Sequence, residues 1–220
     1  MKAIAIDGPG GAGKSTIAKK IAAELGFLYV DTGALYRAIG YYVLNKGVDV
    51  TDETGIVDLL ASIRIDLRYV DTEQRVFLND TDISGKIRTE AVSMAASAVS
   101  ALPKVREYLL DLQRSLARQN NVVMDGRDIG TVILPDADVK IFLTASPEER
   151  ARRRYEELIK KGISADYDSV LEDLKKRDYD DSHRKTAPLR PAEDSVHVDT
   201  TGNSLERSIE ILTGIIKERL

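Results

Sequence analysis

The sequence predicts an α/β protein in which helices flank a parallel β-sheet. Short apolar runs alternate with segments of helical periodicity, the pattern of a doubly wound sheet. A stretch at about residues 63–84 departs from this pattern, because its apolar residues alternate singly with charged ones, and it predicts a small antiparallel insertion. The length of 220 residues suits a single domain, residues 1–220, with its own core.

Composition excludes several classes of protein. Thirty-two Lys+Arg against 36 Asp+Glu leave a net charge of -4, which disfavours a protein that coats nucleic acid. The sequence has no cysteine and two isolated histidines, which argues against thiolate chemistry and a zinc centre. It has neither a long apolar run nor a leader pattern. We therefore expect a cytoplasmic protein that binds no membrane. No feature of the sequence requires an oligomer, so we expect a monomer.

The first elements alternate between strand and helix. Residues 2–7 form an apolar run that ends in glycines, as a strand buried on both faces does. Over 14–25 the apolar positions follow helical spacing, and Gly26 ends that helix. A second strand at 27–30 precedes a helix over about 34–44. This order predicts the start of a parallel sheet with crossover helices.

The insertion begins with an alternation of apolar and charged residues over 63–69, which predicts a strand with one solvent-exposed face; its apolar positions are Ile63, Ile65, Leu67 and Tyr69. The other elements predicted in this region are strands at 75–78 and 81–83, turns at 71–73 and 79–80, and helices over about 86–100 and from Pro103 to about Arg118.

The last third returns to the alternating pattern. Apolar runs at 121–125 and 139–143 predict two more buried strands. Ser146, Pro147 and Glu149 form a strong helix start, with a capping hydroxyl, a first-turn proline and a third-position acid. The remaining predicted elements are a polar helix over about 166–179, a strand at 195–199 and a helix over 204–219.

A glycine-rich segment at residues 8–15, GPGGAGKS, matches G-x-x-x-x-G-K-[ST] between a predicted strand and a predicted helix. Glycines let successive backbone N–H groups turn toward phosphate oxygens, and the helix N-terminus adds partial positive charge. Lys14 supplies a full charge to the β- and γ-phosphates, and the Ser15 hydroxyl can ligate Mg²⁺. The segment predicts an ATP-binding loop rather than an empty turn.

Two polar segments lie at the carboxyl ends of other predicted strands, where ligands of open α/β sheets gather. In residues 31–37, Arg37 offers a planar fork for a phosphate, and Thr32 offers a hydroxyl. In residues 125–128, Arg127 and Asp128 are interpreted as ligand groups, and Asp125 alone as a strand-end turn residue. A phosphate loop does not by itself separate a kinase from a GTPase or a motor ATPase. The guanine-reading N-K-x-D motif is missing, which disfavours a GTPase-like switch.

Together these segments resemble the bacterial cytidylate kinases, and the resemblance covers essentially the whole chain. The motifs that carry it are residues 6–15, 31–37, 125–131, 146–153 and 177–189, together with the insertion. The resemblance implies a P-loop kinase that transfers the γ-phosphoryl group of ATP to CMP or dCMP with Mg²⁺. It also implies a CMP-binding region that extends from the insertion to about residue 100, and a helical lid at about 147–180. UMP, dTMP and shikimate remain alternative acceptors.

The resemblance also implies roles for individual residues. Arg37 would bind the acceptor phosphate, Asp181 the ribose hydroxyls, and Ser97 and Arg106 the cytosine. The residues implied for the ATP phosphates are Gly8, Pro9, Gly10, Gly11, Ala12, Gly13, Lys14, Ser15, Thr16, Arg150 and Arg153. Those implied for CMP are Thr32, Arg37, Ser97, Arg106, Arg127, Asp128, Asp181 and Arg184. Those implied for catalysis are Lys14, Arg127, Arg153 and Arg177, with Ser15 on Mg²⁺.

Overall fold

A computed structural model describes residues 1–70 and 73–220. They form two compact units: residues 1–29 with 117–220, here the sheet unit, and residues 30–116, here the middle unit. The elements in chain order are β1 Ala3–Asp7, α1 Lys14–Leu25, β2 Leu28–Asp31, α2 Thr32–Asn45, α3 Glu53–Leu60, β3 Ile65–Val70, β4 Glu73–Leu78, β5 Thr81–Asp82, α4 Glu90–Ser100, α5 Pro103–Gln119, β6 Val122–Gly126, a π-helix Ile129–Ile133, β7 Val139–Thr144, α6 Pro147–Lys160, α7 Tyr167–His183, β8 Val196–Asp199 and α8 Leu205–Arg219.

The main sheet has the strand order β2-β6-β1-β7-β8, which confirms the predicted α/β class. Strand β1 pairs in parallel with both β6 and β7, and β7 pairs in parallel with β8. The register places Asp7 opposite Gly126 on one side and Phe142 on the other. The carboxyl ends of these three strands therefore meet at one edge, where their polar residues can act together.

The core of the sheet unit explains the apolar runs. The consecutive residues Ile4, Ala5 and Ile6 are all fully buried, and α1 and α8 cover the face that carries Ile4 and Ile6 with residues such as Ile21 and Leu212. A strand covered on both faces needs apolar residues at consecutive positions, which is the pattern that the sequence shows. Each such side chain stabilises the fold by about 1.5–3 kcal/mol relative to leaving it in water.

The middle unit has a separate core. Helices α2 and α4 approach so closely that a methyl group on Gly40 would lie 2.8 Å from the Ala96 backbone nitrogen. Strands β3, β4 and β5 form an antiparallel sheet in which Ile65 pairs with Leu78. Buried residues of α2, α3, α5 and the sheet complete the cluster.

The antiparallel insertion is confirmed, but details around it differ from the sequence interpretation. Within the predicted turn at 71–73, residues 71 and 72 lie outside the described residues, and Glu73 begins β4. Helix α4 begins at Glu90 rather than at 86, because the Thr89 hydroxyl caps it by accepting the Val92 N–H. The sequence pattern did not predict helix α3, although the Asp52 carboxylate caps it by accepting the Gly55 N–H.

Other boundaries shift because of side-chain caps. Helix α2 begins at Thr32, two residues early, because the Asp31 carboxylate accepts the Ala34 N–H. The Ser146 hydroxyl accepts the Glu149 N–H, which confirms the predicted start of α6. Helix α7 continues to His183, beyond the predicted end. No helix in the described part of the chain is long and apolar enough to span a bilayer.

Candidate active site

The phosphate loop joins β1 to α1, as predicted. Gly8 has φ +149°, and Gly13, the residue that caps α1, has φ +87°, a backbone conformation that other residues rarely adopt. Such a backbone lets the N–H groups of the loop and the N-terminus of α1 face one phosphate. The result is an anion-binding cradle made of backbone.

Lys14 lies within this loop and is 5% exposed. Its Nζ donates to the Pro9 carbonyl at 2.7 Å. Burial, assisted by the nearby Arg127 cation, lowers the pKa of Lys14 to about 7. The buried ammonium therefore lacks sufficient negative charge around it, and polyphosphate oxygens would supply that charge.

Ser15 and Asp125 place two oxygen groups side by side beneath the loop. The Ser15 hydroxyl donates to the Asp125 carboxylate at 2.8 Å, and the Tyr29 hydroxyl donates to its other oxygen at 2.9 Å. A hydroxyl and a carboxylate are hard oxygen ligands, so this pair fits Mg²⁺. The interpretation of Asp125 as a turn residue was incomplete. Strand β6 lies next to β1 in the sheet, which brings Asp125 to Ser15, and the order of the strands along the chain does not reveal that pairing.

Asp7, at the end of β1, fixes the segment that carries Arg127 and Asp128. Its two carboxylate oxygens accept the backbone N–H groups of Ile129 at 2.8 Å and Gly130 at 2.7 Å. Burial outweighs these hydrogen bonds and raises the pKa of Asp7 to about 6. Asp7 was not singled out as a site residue, because the sequence interpretation placed it at the end of a strand.

A charged network surrounds Asp181, a buried residue of α7. Arg127 Nε donates to its carboxylate at 2.8 Å, and Arg184 lies 3.8 Å from Asp181 and 3.5 Å from Asp128. Burial raises the pKa of Asp181, but Arg127, Arg184 and Arg177 outweigh burial and lower it. Asp181 is therefore ionised at neutral pH and holds the Arg127 guanidinium in place.

The two arginines that the resemblance assigns to ATP are both hydrogen-bonded to other residues of the protein in this structure. Arg150, 3% exposed, donates to the carbonyls of Ala145 at 2.8 Å and Gly10 at 3.0 Å, and to Asp178 at 2.6 Å. Arg150 thus joins the phosphate loop to α7. Arg153 donates to Glu149 and to a backbone carbonyl, both at 3.1 Å.

The middle unit holds the remaining residues predicted for CMP. Thr32 is buried at the first position of α2, and Arg37 donates to Asp31 at 2.8 Å. Arg106 is 8% exposed, donates to the Ser100 carbonyl at 3.0 Å and lies 5.4 Å from the centre of the Tyr36 ring. Ser97 is half-buried on α4.

A parallel sheet whose first strand leads into a GxxxxGKS loop, with a buried lysine and a serine–aspartate pair beside it, defines a P-loop protein. The arginine-bearing helices and the missing guanine motif point to a kinase within this class. The chain matches the cytidylate kinase family over residues 4–218 and belongs to that family.

Individual relatives agree with this assignment. The chain is 54% identical to a cytidylate kinase of Caldanaerobacter subterraneus over 207 residues, 94% of this chain and 91% of the relative. It is 53% identical to a cytidylate kinase of Streptococcus mutans over 201 residues, 90% of this chain and 88% of the relative.

Solved structures show the same fold at low sequence identity. An uncharacterised protein from Eubacterium ventriosum superposes with a TM-score of 0.55 at 14% identity, and the match covers 100% of both chains. A gluconokinase from Sinorhizobium meliloti superposes with a TM-score of 0.50 at 16% identity, covering 99% of this chain and 93% of that one.

Proposed function

We propose that the protein transfers the γ-phosphoryl group of ATP to CMP or dCMP, giving ADP and the corresponding diphosphate. The observation that carries this proposal is an intact phosphate loop, with Lys14 buried in it, in a chain about half identical to cytidylate kinases over nearly its whole length. A cytoplasmic location and a monomeric state belong to the same proposal.

On the donor side, the backbone N–H groups of residues 10–13 bind the phosphates of ATP. Lys14 leaves the Pro9 carbonyl for the transferring group, where its charge offsets the charge that develops on the equatorial oxygens. The Ser15 hydroxyl and the Asp125 carboxylate would hold Mg²⁺. When bound, that ion would neutralise phosphate charge and orient the oxygens. Arg127, held by Asp181, adds a fixed guanidinium.

On the acceptor side, no general base is needed. A phosphate monoester is largely ionised at pH 7 and is already nucleophilic, so positioning and charge neutralisation carry the catalysis. The pKa of Asp181 is lowered by its arginine neighbours against the effect of burial, so this carboxylate is a poor proton acceptor. Its expected role is to accept hydrogen bonds from Arg127 and from the ribose hydroxyls.

Binding of ATP is expected to take up about one proton at pH 8. Lys14, with a pKa of about 7, is mostly neutral there, and the incoming triphosphate restores its charge. Titration calorimetry in Tris and in HEPES, whose ionisation enthalpies differ, measures this uptake. Lys14→Met is expected to abolish the uptake, and Lys20→Met, at an exposed lysine of the same helix, is the control that leaves it unchanged. An observed enthalpy that is the same in both buffers contradicts the prediction.

Arg106→Ala is expected to raise the KM for CMP about tenfold or more and to leave the KM for ATP nearly unchanged. Arg106 is assigned to the cytosine, and a guanidinium hydrogen bond is worth about 1.5–3 kcal/mol. The side chain also donates to Ser100, so thermal unfolding is measured beside the kinetics. Equal losses for both nucleotides would show that the assignment is wrong.

A steady-state assay with ATP and a panel of acceptors tests the proposal as a whole. The panel is CMP, dCMP, UMP, dTMP and shikimate, each compared with ATP hydrolysis in the absence of acceptor. Transfer to CMP and dCMP well above hydrolysis supports the proposed kinase. ATP hydrolysis that is indifferent to every acceptor would instead indicate a nucleotide-dependent switch.

A further inference from the structure

We propose that Arg88 is a second guanidinium for the phosphate of the acceptor nucleotide, beside Arg37. Neither the sequence motifs nor the resemblance assigned Arg88 a role. The inference rests on the proposed function, because it concerns the site that receives a nucleoside monophosphate. Four residues of the middle unit form the cluster: Asp31, Arg37, Gln74 and Arg88.

Asp31 is the fixed centre of this cluster. It is 4% exposed, and its backbone N–H donates to the Gln74 Oε1 of β4 at 3.0 Å. One carboxylate oxygen accepts the Ala34 N–H at 2.9 Å and caps α2. The other oxygen accepts Arg37 at 2.8 Å and Arg88 at 3.4 Å. One buried carboxylate oxygen is therefore shared by two guanidinium groups.

Arg37 is held in place by Asp31, but not all of its N–H donors have an acceptor among the described residues. One terminal nitrogen is bound to Asp31, while its Nε is buried and has no hydrogen-bond acceptor within the described part of the chain. A buried N–H without a partner costs about 1–3 kcal/mol, so a ligand that supplies an acceptor to this guanidinium is favoured. A phosphate oxygen is such an acceptor.

Arg88 has a fixed backbone and an accessible head. Ile87, directly before it, is 1% exposed, and Thr89, directly after it, caps α4. The Arg88 side chain is nevertheless 67% exposed, and its contact with Asp31 is the longer of the two arginine contacts. Its other donors can therefore reach a ligand without releasing Asp31.

The charges of the cluster require the second arginine. Arg37 and Asp31 alone form a neutral pair, which offers little net attraction to a phosphate. Arg88 brings the three side chains to a net charge of +1, while a phosphate monoester carries nearly two negative charges at pH 7. Two guanidinium groups that share one carboxylate also have several further N–H donors between them, which can bind several phosphate oxygens. The Asp31 carboxylate thus positions both cations rather than cancelling them.

The test compares Arg88→Met with Lys104→Met. Lys104 is a matched control, because it lies in the same unit but outside the CMP-binding region, is 65% exposed, pairs with the carboxylate of Glu107 and loses the same charge. Fluorescence or calorimetric titration measures the affinity of each variant for CMP and for cytidine, which lacks the phosphate. Arg88→Met is expected to weaken CMP binding about ten- to a hundredfold and to leave cytidine binding unchanged. Lys104→Met is expected to change neither.

Three results would overturn the inference: unchanged CMP affinity in Arg88→Met, equal losses for CMP and cytidine in that variant, or an equal loss of CMP affinity in Lys104→Met. Arg88→Lys, which keeps the charge but not the fork, is expected to lie between wild type and Arg88→Met. The wild-type acceptor assay is run in parallel. If wild type phosphorylates CMP while Arg88→Met binds CMP normally, this inference fails and the proposed function stands. If wild type transfers nothing to CMP, the proposed function itself fails.

Discussion

Lys14→Met is expected to lower the rate of phosphoryl transfer about a hundredfold or more without weakening the fold. The substitution removes the one full charge that the phosphate loop itself carries to the transferring group, where electrostatic stabilisation is the largest contribution to catalysis. Methionine keeps most of the side-chain length and volume, so the loop can remain packed. Steady-state turnover with ATP and CMP measures the effect, and near-normal turnover would refute the assignment of Lys14.

The same variant has an expected signature in stability. Burial lowers the pKa of Lys14 from 10.5 to about 7, so between these values the unfolded chain binds more protons at this group than the folded chain does. The contribution of Lys14 to the free energy of unfolding therefore rises with pH across that window. The cost of burying its charged ammonium is fully present below pH 7. Urea unfolding should show Lys14→Met at least as stable as wild type at pH 6.5. The stability advantage of Lys14→Met over wild type should shrink toward pH 9. A variant that is clearly less stable than wild type at pH 6.5 contradicts this account.

Gly8→Ala is expected to destabilise the protein by more than about 3 kcal/mol or to prevent folding. A methyl group at this position would lie 1.9 Å from the Leu143 carbonyl oxygen, and φ is +149°. Because Leu143 belongs to β7, which pairs with β1, relief of the overlap requires two adjacent strands to separate. Urea or guanidinium unfolding, monitored by circular dichroism, measures the loss.

Gly26→Ala is the matched control for this prediction. Gly26 also has a positive φ, +67°, but a methyl group there meets nothing within 4 Å. Only the backbone preference is then lost, and the expected cost is about 1–2 kcal/mol. Similar costs at Gly8 and Gly26 would mean that the close approach of the loop to β7 is not real.

Much of the sheet unit could be predicted because local patterns specify it. Helix α1 was predicted with its observed bounds, since periodicity, the phosphate loop and Gly26 all mark it. The antiparallel insertion was predicted because alternation of apolar and charged residues is specific to a strand with one wet face. Where several local signals agree, sequence reasoning is dependable.

The residues that were missed depend on contacts that are distant along the chain. Asp125 meets Ser15 from 110 positions away, and Asp7 meets Ile129 from 122 positions away. Arg88 reaches Asp31 across 57 positions. No local pattern reports such a pair, because the strand order and the turn before α4 create it. Helix α3 was missed for a different reason, since its eight residues give too short a window for periodicity.

The most direct test of the central claim uses ATP labelled on its γ-phosphate, mixed with the enzyme and CMP, with the fate of the label followed. The account predicts that the label appears in CDP, that almost none is released as inorganic phosphate, and that Lys14→Met suppresses the transfer. Label found mainly in inorganic phosphate, or unmoved in the presence of CMP, would contradict it.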